Sequence, residues 1–175
     1  YYLNILKIFE SMNVRVVNNA RSIESTVDKL YTSYLLNKNK INCPETYIFR
    51  GQKAASGFIS NYNFKSKLIY KPLFGSQGDN IRLIERPSDL EKLENQTNIY
   101  YFQEYLDNSP NYDYRVLVIN NNDNIKYFYM TRYGETFINN FSKGAKCIKE
   151  KLNEDVIELA IKSSRLLNID FCGVD

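Results

Sequence analysis

The sequence predicts a mixed fold, α+β or α/β with antiparallel elements, on three observations. Strand-like and helical stretches alternate along the chain without a regular repeat. Two alternating runs within 114–132 flank an asparagine-rich turn, the pattern of an antiparallel hairpin. No low-complexity linker divides the 175 residues, enough chain for one core or two small subdomains.

Residues 2–11 space Leu3, Leu6 and Ile8/Phe9 as a helix does, and "VRVV" at 14–17 reads as a short strand. From Ser25, a candidate N-cap, the stretch to Ile41 sets Val27, Leu30, Tyr31, Tyr34 and Leu35 on one helical face. Asn42 and Pro44 end it. Strands are expected at 46–49, 67–71, 81–85 and 98–106, with helical stretches at 52–60 and 88–95 between them. After the hairpin comes an amphipathic helix over 155–169, carrying Val156, Leu159, Ala160, Ile161 and Leu166/Leu167. "DFCGVD" then reads as a buried strand that stops at an acidic residue.

Composition narrows the chemistry. A hydrophobic share of 43% with 25% charged residues is that of an ordinary globular protein. The net charge of +3 is interspersed, with no basic arm for nucleic acid and no membrane-surface patch. The 15 tyrosines fall mostly within apolar patterns, as core and rim rather than base-stacking platforms. With no histidine, Ser–His–Asp and Cys–His catalysis and histidine metal sites are excluded. Cys43, Cys147 and Cys172 are odd in number and never in CxxC spacing, which fits reduced thiols in the cytoplasm. No run of 18 apolar residues and no signal peptide is visible. A chain that opens on Tyr1 rather than methionine reads as a piece of something longer.

The chemically pointed stretch is "IYKPLFGSQGDN" at 69–80, a strand that delivers Lys71 to a loop with Gly75, Ser76, Gln77 and Gly78. It is not a Walker A loop, because no Gly-Lys-Ser/Thr follows. Glycines let backbone N–H groups wrap phosphate oxygens, Ser76 adds a hydroxyl donor, and Lys71 adds charge. Taken alone, the same residues also describe a solubilising lysine before a surface turn.

Further blocks follow in order: Asp28-Lys29, Gln103-Glu104-Tyr105, Asp113-Tyr114-Arg115, "FINNFSKGA" and Gly173-Val174-Asp175. With these in register the chain resembles the ATP-grasp ligases, and most of all the RimK-like α-L-glutamate ligases, over essentially its whole length. The resemblance implies an ATP-grasp fold incomplete at both ends. Residues 1–20 would end a preceding domain and 21–45 form a linking helix. Residues 46–106 would form the small flap-bearing subdomain, and 107–175 the first part of the large one.

The resemblance further implies ATP with Mg2+ or Mn2+. Lys29 and Lys71 would reach the nucleotide phosphates, Lys71 also lying near the adenine, under a mobile flap formed by 74–79. Gln103, Glu104 and Tyr105 would border the adenine, largely through backbone groups. Asp113 would meet the ribose, and Asn140 would place an amide on the nucleotide. Arg115 and Arg132 would face phosphate or a substrate carboxylate, and Asp175 would be the first of three metal ligands. In such ligases a carboxylate attacks the γ-phosphate of ATP and an amine displaces phosphate from the acyl phosphate. Positioning and charge neutralisation carry that reaction, so a histidine is not needed.

Asn80 replaces a glycine that many relatives carry in the flap, and asparagine tolerates left-handed geometry better than most residues. Ile138 stands where relatives often have a polar or basic residue. The Glu-x-Asn pair that completes the family's metal site would follow Asp175, so the piece 1–175 is expected not to turn over alone. The expected partners are ATP, a carboxylate substrate and an amino-acid amine, glutamate foremost, without nucleic acid or membrane; family members often form homo-oligomers. The alternatives are a non-catalytic nucleotide-binding module and an aromatic-rich RNA-binding domain, the latter opposed by the interspersed charge.

Overall fold

The computed structural model describes residues 2–75, 78–93, 97–121 and 124–175. The chain divides into two units, Cys43–Asp107 and a second built from Tyr1–Asn42 with Asn108–Asp175. Among the described residues no helix is long and apolar enough to cross a membrane. All three cysteines are free thiols.

The N-terminal segment is helical: α1 (Tyr2–Ser11), α2 (Ala20–Val27) and α3 (Lys29–Lys38). The expected strand at 14–17 does not form. Asn13 takes a left-handed φ of 59°, and the Val14 N–H bonds to the Phe9 carbonyl at 3.0 Å, so that backbone is used to close α1. The single helix expected from Ser25 is two helices. Asp28 ends α2 and caps α3, accepting from the N–H groups of Leu30 and Tyr31 at 2.9 and 3.2 Å. Ser25 lies inside α2, its hydroxyl donating to the Arg21 carbonyl. Lys40 and Asn168, both left-handed, close α3 and the last helix with the bonding pattern found at Asn13, so Asn42 and Pro44 are not what stops α3.

Unit Cys43–Asp107 contains β1 (Thr46–Arg50), α4 (Gln52–Asn61), β2 (Leu68–Lys71), β3 (Arg82–Ile84) and β4 (Ile99–Glu104). A 3-10 helix, Pro87–Lys92, stands where a helical stretch over 88–95 was expected, of which 94 and 95 lie outside the described residues. The strands form one antiparallel sheet in the order β1-β4-β2-β3. Leu68, Tyr70, Ile84, Tyr100 and Phe102 pack with Ala55 and Ile59 of α4 into a buried core, rimmed by Tyr47, Phe49, Phe58, Tyr62 and Phe64. The period-2 alternation therefore sends Ile69, Lys71, Tyr101 and Gln103 to the opposite face.

The other unit adds β5 (Tyr112–Asn121), β6 (Asn124–Tyr133), β7 (Lys146–Ile148), α5 (Glu154–Leu166) and β8 (Phe171–Val174). The antiparallel sheet runs β7-β6-β5-β8, with β7 unforeseen in the sequence. Val116 and Val118 pack with Leu152, Ile157 and Ala160 beneath the sheet, joined by Tyr114, Tyr129, Cys172 and Val174. The final strand is not buried as expected. Among the described residues it pairs with β5, and while Cys172 and Val174 pack on the core, Phe171 stays exposed. Tyr127 is likewise exposed, on the rim rather than in the core.

Candidate active site

In the smaller unit Lys71 ends β2, and its Nζ donates to Gln103 Oε1 at 2.6 Å. The sheet register produces the meeting: Lys71 lies opposite Tyr101, and Ile69 opposite Gln103, so the two polar side chains are diagonal neighbours on one face. Gln103 is buried and passes its amide hydrogens to Thr46 Oγ1 at 3.2 Å and to the Tyr101 hydroxyl at 3.3 Å. Thr46 and Tyr101 are absent from the sequence-derived set; the pairing of β1 with β4 sets Thr46 against Gln103, and Tyr101 lies two residues before Gln103 on the same face of β4. The lysine is thus aimed by a buried amide.

Beyond Lys71 the chain turns at Gly78 (φ 77°) and Asn80 (φ 55°), both left-handed. Gly75 stands at the loop's entry, while Ser76 and Gln77 lie outside the described residues. The N–H groups of Glu104 and Tyr105 are taken by the carbonyls of Glu45 (2.8 Å) and Lys67 (2.9 Å). What this segment can offer a ligand at 104–105 is therefore carbonyl oxygen and side chain. Burial, and then the charge of Asp107, raises the Tyr105 phenol against the opposing pull of Lys67.

In the other unit four expected site residues meet. Asp113 and Arg115 share the face of β5 that points away from the α5 core, two residues apart. Arg132 of β6 lies directly opposite Asp113, and Asp175 falls one step past the Val116–Val174 pair, beside Arg115. Arg132 grips Asp113 with Nε to Oδ1 and Nη2 to Oδ2, both at 2.6 Å, and its Nη2 also stands 3.1 Å from Asp175 Oδ2. Arg115 grips Asp175 in the same two-pronged way, at 2.6 and 2.6 Å.

Arg132 is only 2% exposed, and its Nη1 is buried without a hydrogen-bond partner among the described residues. Burial works against its charge, but the bonds to Asp113 and the charges of Asp175 and Asp113 outweigh that and raise its pKa further. Burial also raises the Asp113 carboxyl and the nearby Asp175 adds to it, while Arg132 and Arg115 pull it down. The geometry decides: a guanidinium forked onto both oxygens at 2.6 Å keeps Asp113 ionised near neutrality.

Lys29 and Asn140 stand on other elements of this unit. Lys29 opens α3 just after its cap, and burial lowers its pKa against the opposing charge of Asp28. Asn140 precedes a 3-10 turn, Phe141–Lys143, and its carbonyl accepts from the Lys143 N–H at 2.9 Å.

These two sheets, one delivering a lysine to a glycine loop and one bearing paired acids and arginines, have the ATP-grasp architecture. A RimK domain ATP-grasp protein from Sphaerobacter thermophilus superposes with a TM-score of 0.73 at 16% identity, over 99% of this chain and 62% of that one. The D-alanine–D-alanine ligase of Coxiella burnetii gives 0.73 at 12% identity, covering 98% and 49%. The ATP-grasp ligase PsnB, in a complex with minimal precursor, Mg and ADP, gives 0.64 at 19%, covering 98% and 51%.

Residues 26–175 match the RimK-like ATP-grasp domain, and the chain belongs to that family. Among curated relatives, the tetrahydromethanopterin:α-L-glutamate ligase of Methanosarcina acetivorans is 28% identical over 190 residues, all of this chain and 57% of the relative. The α-aminoadipate–LysW ligase LysX of Saccharolobus solfataricus is 26% identical over 176 residues, 96% of this chain and 62% of the relative. The chain thus spans roughly three-fifths of these relatives' length.

A divalent cation is the group this family implies. Asp175 has the hard oxygen chemistry for one, yet both its oxygens accept from guanidinium groups. Among the described residues no group of three or more His, Cys, Asp or Glu side chains could hold a metal ion. The described residues do not by themselves fit a metal centre.

Proposed function

We propose that the whole protein is an ATP-dependent carboxylate–amine ligase that forms an amide bond through an acyl phosphate. The observation that carries this reading is Lys71, fixed by Gln103 at the mouth of a glycine loop in a chain that matches the RimK-like domain over residues 26–175. Lys71 and Lys29 serve as phosphate-binding cations, with the flap 74–79 over the phosphates. Glu104 and Tyr105 border the adenine, Asp113 the ribose, and Asn140 the nucleotide. Arg115, a third exposed, is the arginine able to meet phosphoryl oxygens, whereas Arg132 positions Asp113 and Asp175.

The carboxylate takes the γ-phosphoryl group and ADP leaves. The amine then attacks the acyl carbon, phosphate departs, and the amine's proton is lost to solvent. Mg2+ would accompany the nucleotide. Glutamate is the amine we favour, because α-L-glutamate ligases recur among the relatives. On its three free thiols the protein is assigned to the cytoplasm.

The test is ADP release by the full-length protein given ATP, Mg2+, glutamate and a panel of carboxylate acceptors, with Lys71→Ala as the control. Glutamate-dependent ADP release that Lys71→Ala abolishes is the expected result. ATP binding without release for any amine would favour a second reading, a nucleotide-binding module without chemistry. The occupation of Asp175 by two arginines is what speaks for that alternative.

A further inference from the structure

The Gln103 side-chain amide has two ends of almost equal shape, an acceptor oxygen and a donor NH2, and its neighbours decide which one faces Lys71. The Lys71 ammonium can only donate, so the amide end 2.6 Å from it is Oε1. Nε2 then points at two hydroxyl oxygens, Thr46 Oγ1 at 3.2 Å and that of Tyr101 at 3.3 Å, and both accept. Thr46 is suited to accept because its own hydroxyl hydrogen goes to the Pro44 carbonyl, 3.1 Å away. Donation therefore runs one way, from Lys71 at the end of β2, through Gln103 on β4, to Thr46 at the start of β1 and the Pro44 carbonyl before it. Gln103 and Tyr101 are both buried, so the amide has little bulk water to turn to instead.

We infer that Thr46 and Tyr101 are positioning residues for Lys71: by taking both amide hydrogens of Gln103 they lock its oxygen toward the ammonium. A Gln103 released from them would be able to turn its NH2 end to Lys71. Two donors would then face each other, and the lysine would leave its tether. The tether is a neutral amide, so it fixes the ammonium without cancelling the charge that attracts phosphate oxygens; a carboxylate in its place would compete with phosphate for that charge. Thr46 at the far end of the chain of donation thus sets the aim of a lysine it does not bond. That the aim serves phosphate binding rests on the nucleotide reading above; the locking of the amide does not.

The experiment follows the Lys71 ammonium by proton–nitrogen NMR in the full-length protein with isotope-labelled lysine, without nucleotide, the signal being assigned by its absence from Lys71→Arg. Wild type is compared with Thr46→Val, which keeps the shape and removes the hydroxyl, and with Thr46→Ser, which keeps the hydroxyl. A held ammonium exchanges its hydrogens with water slowly and gives a signal; a loose one does not. Wild type and Thr46→Ser should show the signal and Thr46→Val should lose it. Calorimetric ATP affinity should fall about fivefold in Thr46→Val, the worth of one hydrogen bond, and return in Thr46→Ser. Survival of the signal in Thr46→Val with native circular dichroism, or its loss in Thr46→Ser, overturns the inference. Should Thr46→Val not fold, Tyr101→Phe, which removes a single oxygen, answers the same question. Failure of wild type to bind ATP at all would overturn the nucleotide reading separately, while the ammonium signal still decides the positioning role.

Discussion

Lys71 Nζ and Gln103 Oε1 lie 2.6 Å apart across neighbouring strands, and Gln103 holds two further partners, Thr46 and Tyr101. The cation at the glycine loop is thereby fixed from behind. Lys71→Ala should weaken ATP binding at least tenfold in calorimetric titration and lower the melting temperature modestly, because the buried Gln103 Oε1 loses its donor. Gln103→Leu should instead destabilise the protein by about 1–3 kcal/mol in urea, since three hydrogen bonds of a buried amide are lost, and should weaken ATP binding as a consequence.

The two arginines should separate cleanly. Arg132→Met leaves Asp113 without its guanidinium partner, and the loss in urea denaturation should be about 3 kcal/mol, the low end for breaking a buried pair because Asp113 keeps some solvent. Arg115→Ala removes a pair that is more open to water and should cost under about 1 kcal/mol. Equal costs would contradict the unequal burial of the two.

Tyr47 gives a pH signature. Its hydroxyl bonds to Glu45, and that bond, then burial, then the Glu45 charge, push its pKa from 10.0 up to about 12. A raised phenol pKa means the folded state holds the proton more tightly than the unfolded one. The stabilisation is therefore complete below pH 10 and lost as pH rises toward 12. NMR titration of ring-labelled tyrosine should show Tyr47 titrating late, and Glu45→Gln should return it toward the ordinary value.

Asn80 sits at φ 55°. Asn80→Gly should fold with wild-type stability or slightly better, whereas Asn80→Val should cost about 1–2 kcal/mol from the left-handed penalty. A thermal melt of the pair decides it, and an unaffected valine variant would mean that the loop takes another conformation in solution.

The hairpin, the long C-terminal helix and the strand that carries Lys71 were legible because each has a period of its own: valine and tyrosine alternation in 114–132, and helical spacing from Val156 onward. What escaped depended on groups far apart in the chain or on a single backbone angle. The valines at 14–17 have strand propensity, but the Val14 N–H is spent on α1, and no local pattern announces that. The apolar face from Val27 to Leu35 continues straight through Asp28, so periodicity could not reveal the break that its carboxylate makes by capping α3. The "DFCGVD" strand reads as buried because apolarity does not say whether a strand has one neighbour or two.

For the site, each residue could be picked out by its block, but not the ties among them. Asp113 and Arg132 are 19 positions apart and meet only through hairpin register; Arg115 and Asp175 are 60 apart and meet only through a second strand pairing. The resemblance pointed to a metal ligand at Asp175, and the arginines that hold it were invisible until the strands were laid side by side.

Phe58 of α4 stands with its ring 4.7 Å from those of both Tyr47 and Phe49, 5.4 Å from Tyr62 and 6.3 Å from Phe102. One helix side chain thus interlocks with β1, β4 and the turn after α4 at once. Loosening α4 would loosen both strands in the same event, so the amides of Ile48 and Tyr101 should exchange with deuterium at a common opening rate. The unit that carries Lys71 would then open as a single cooperative foldon.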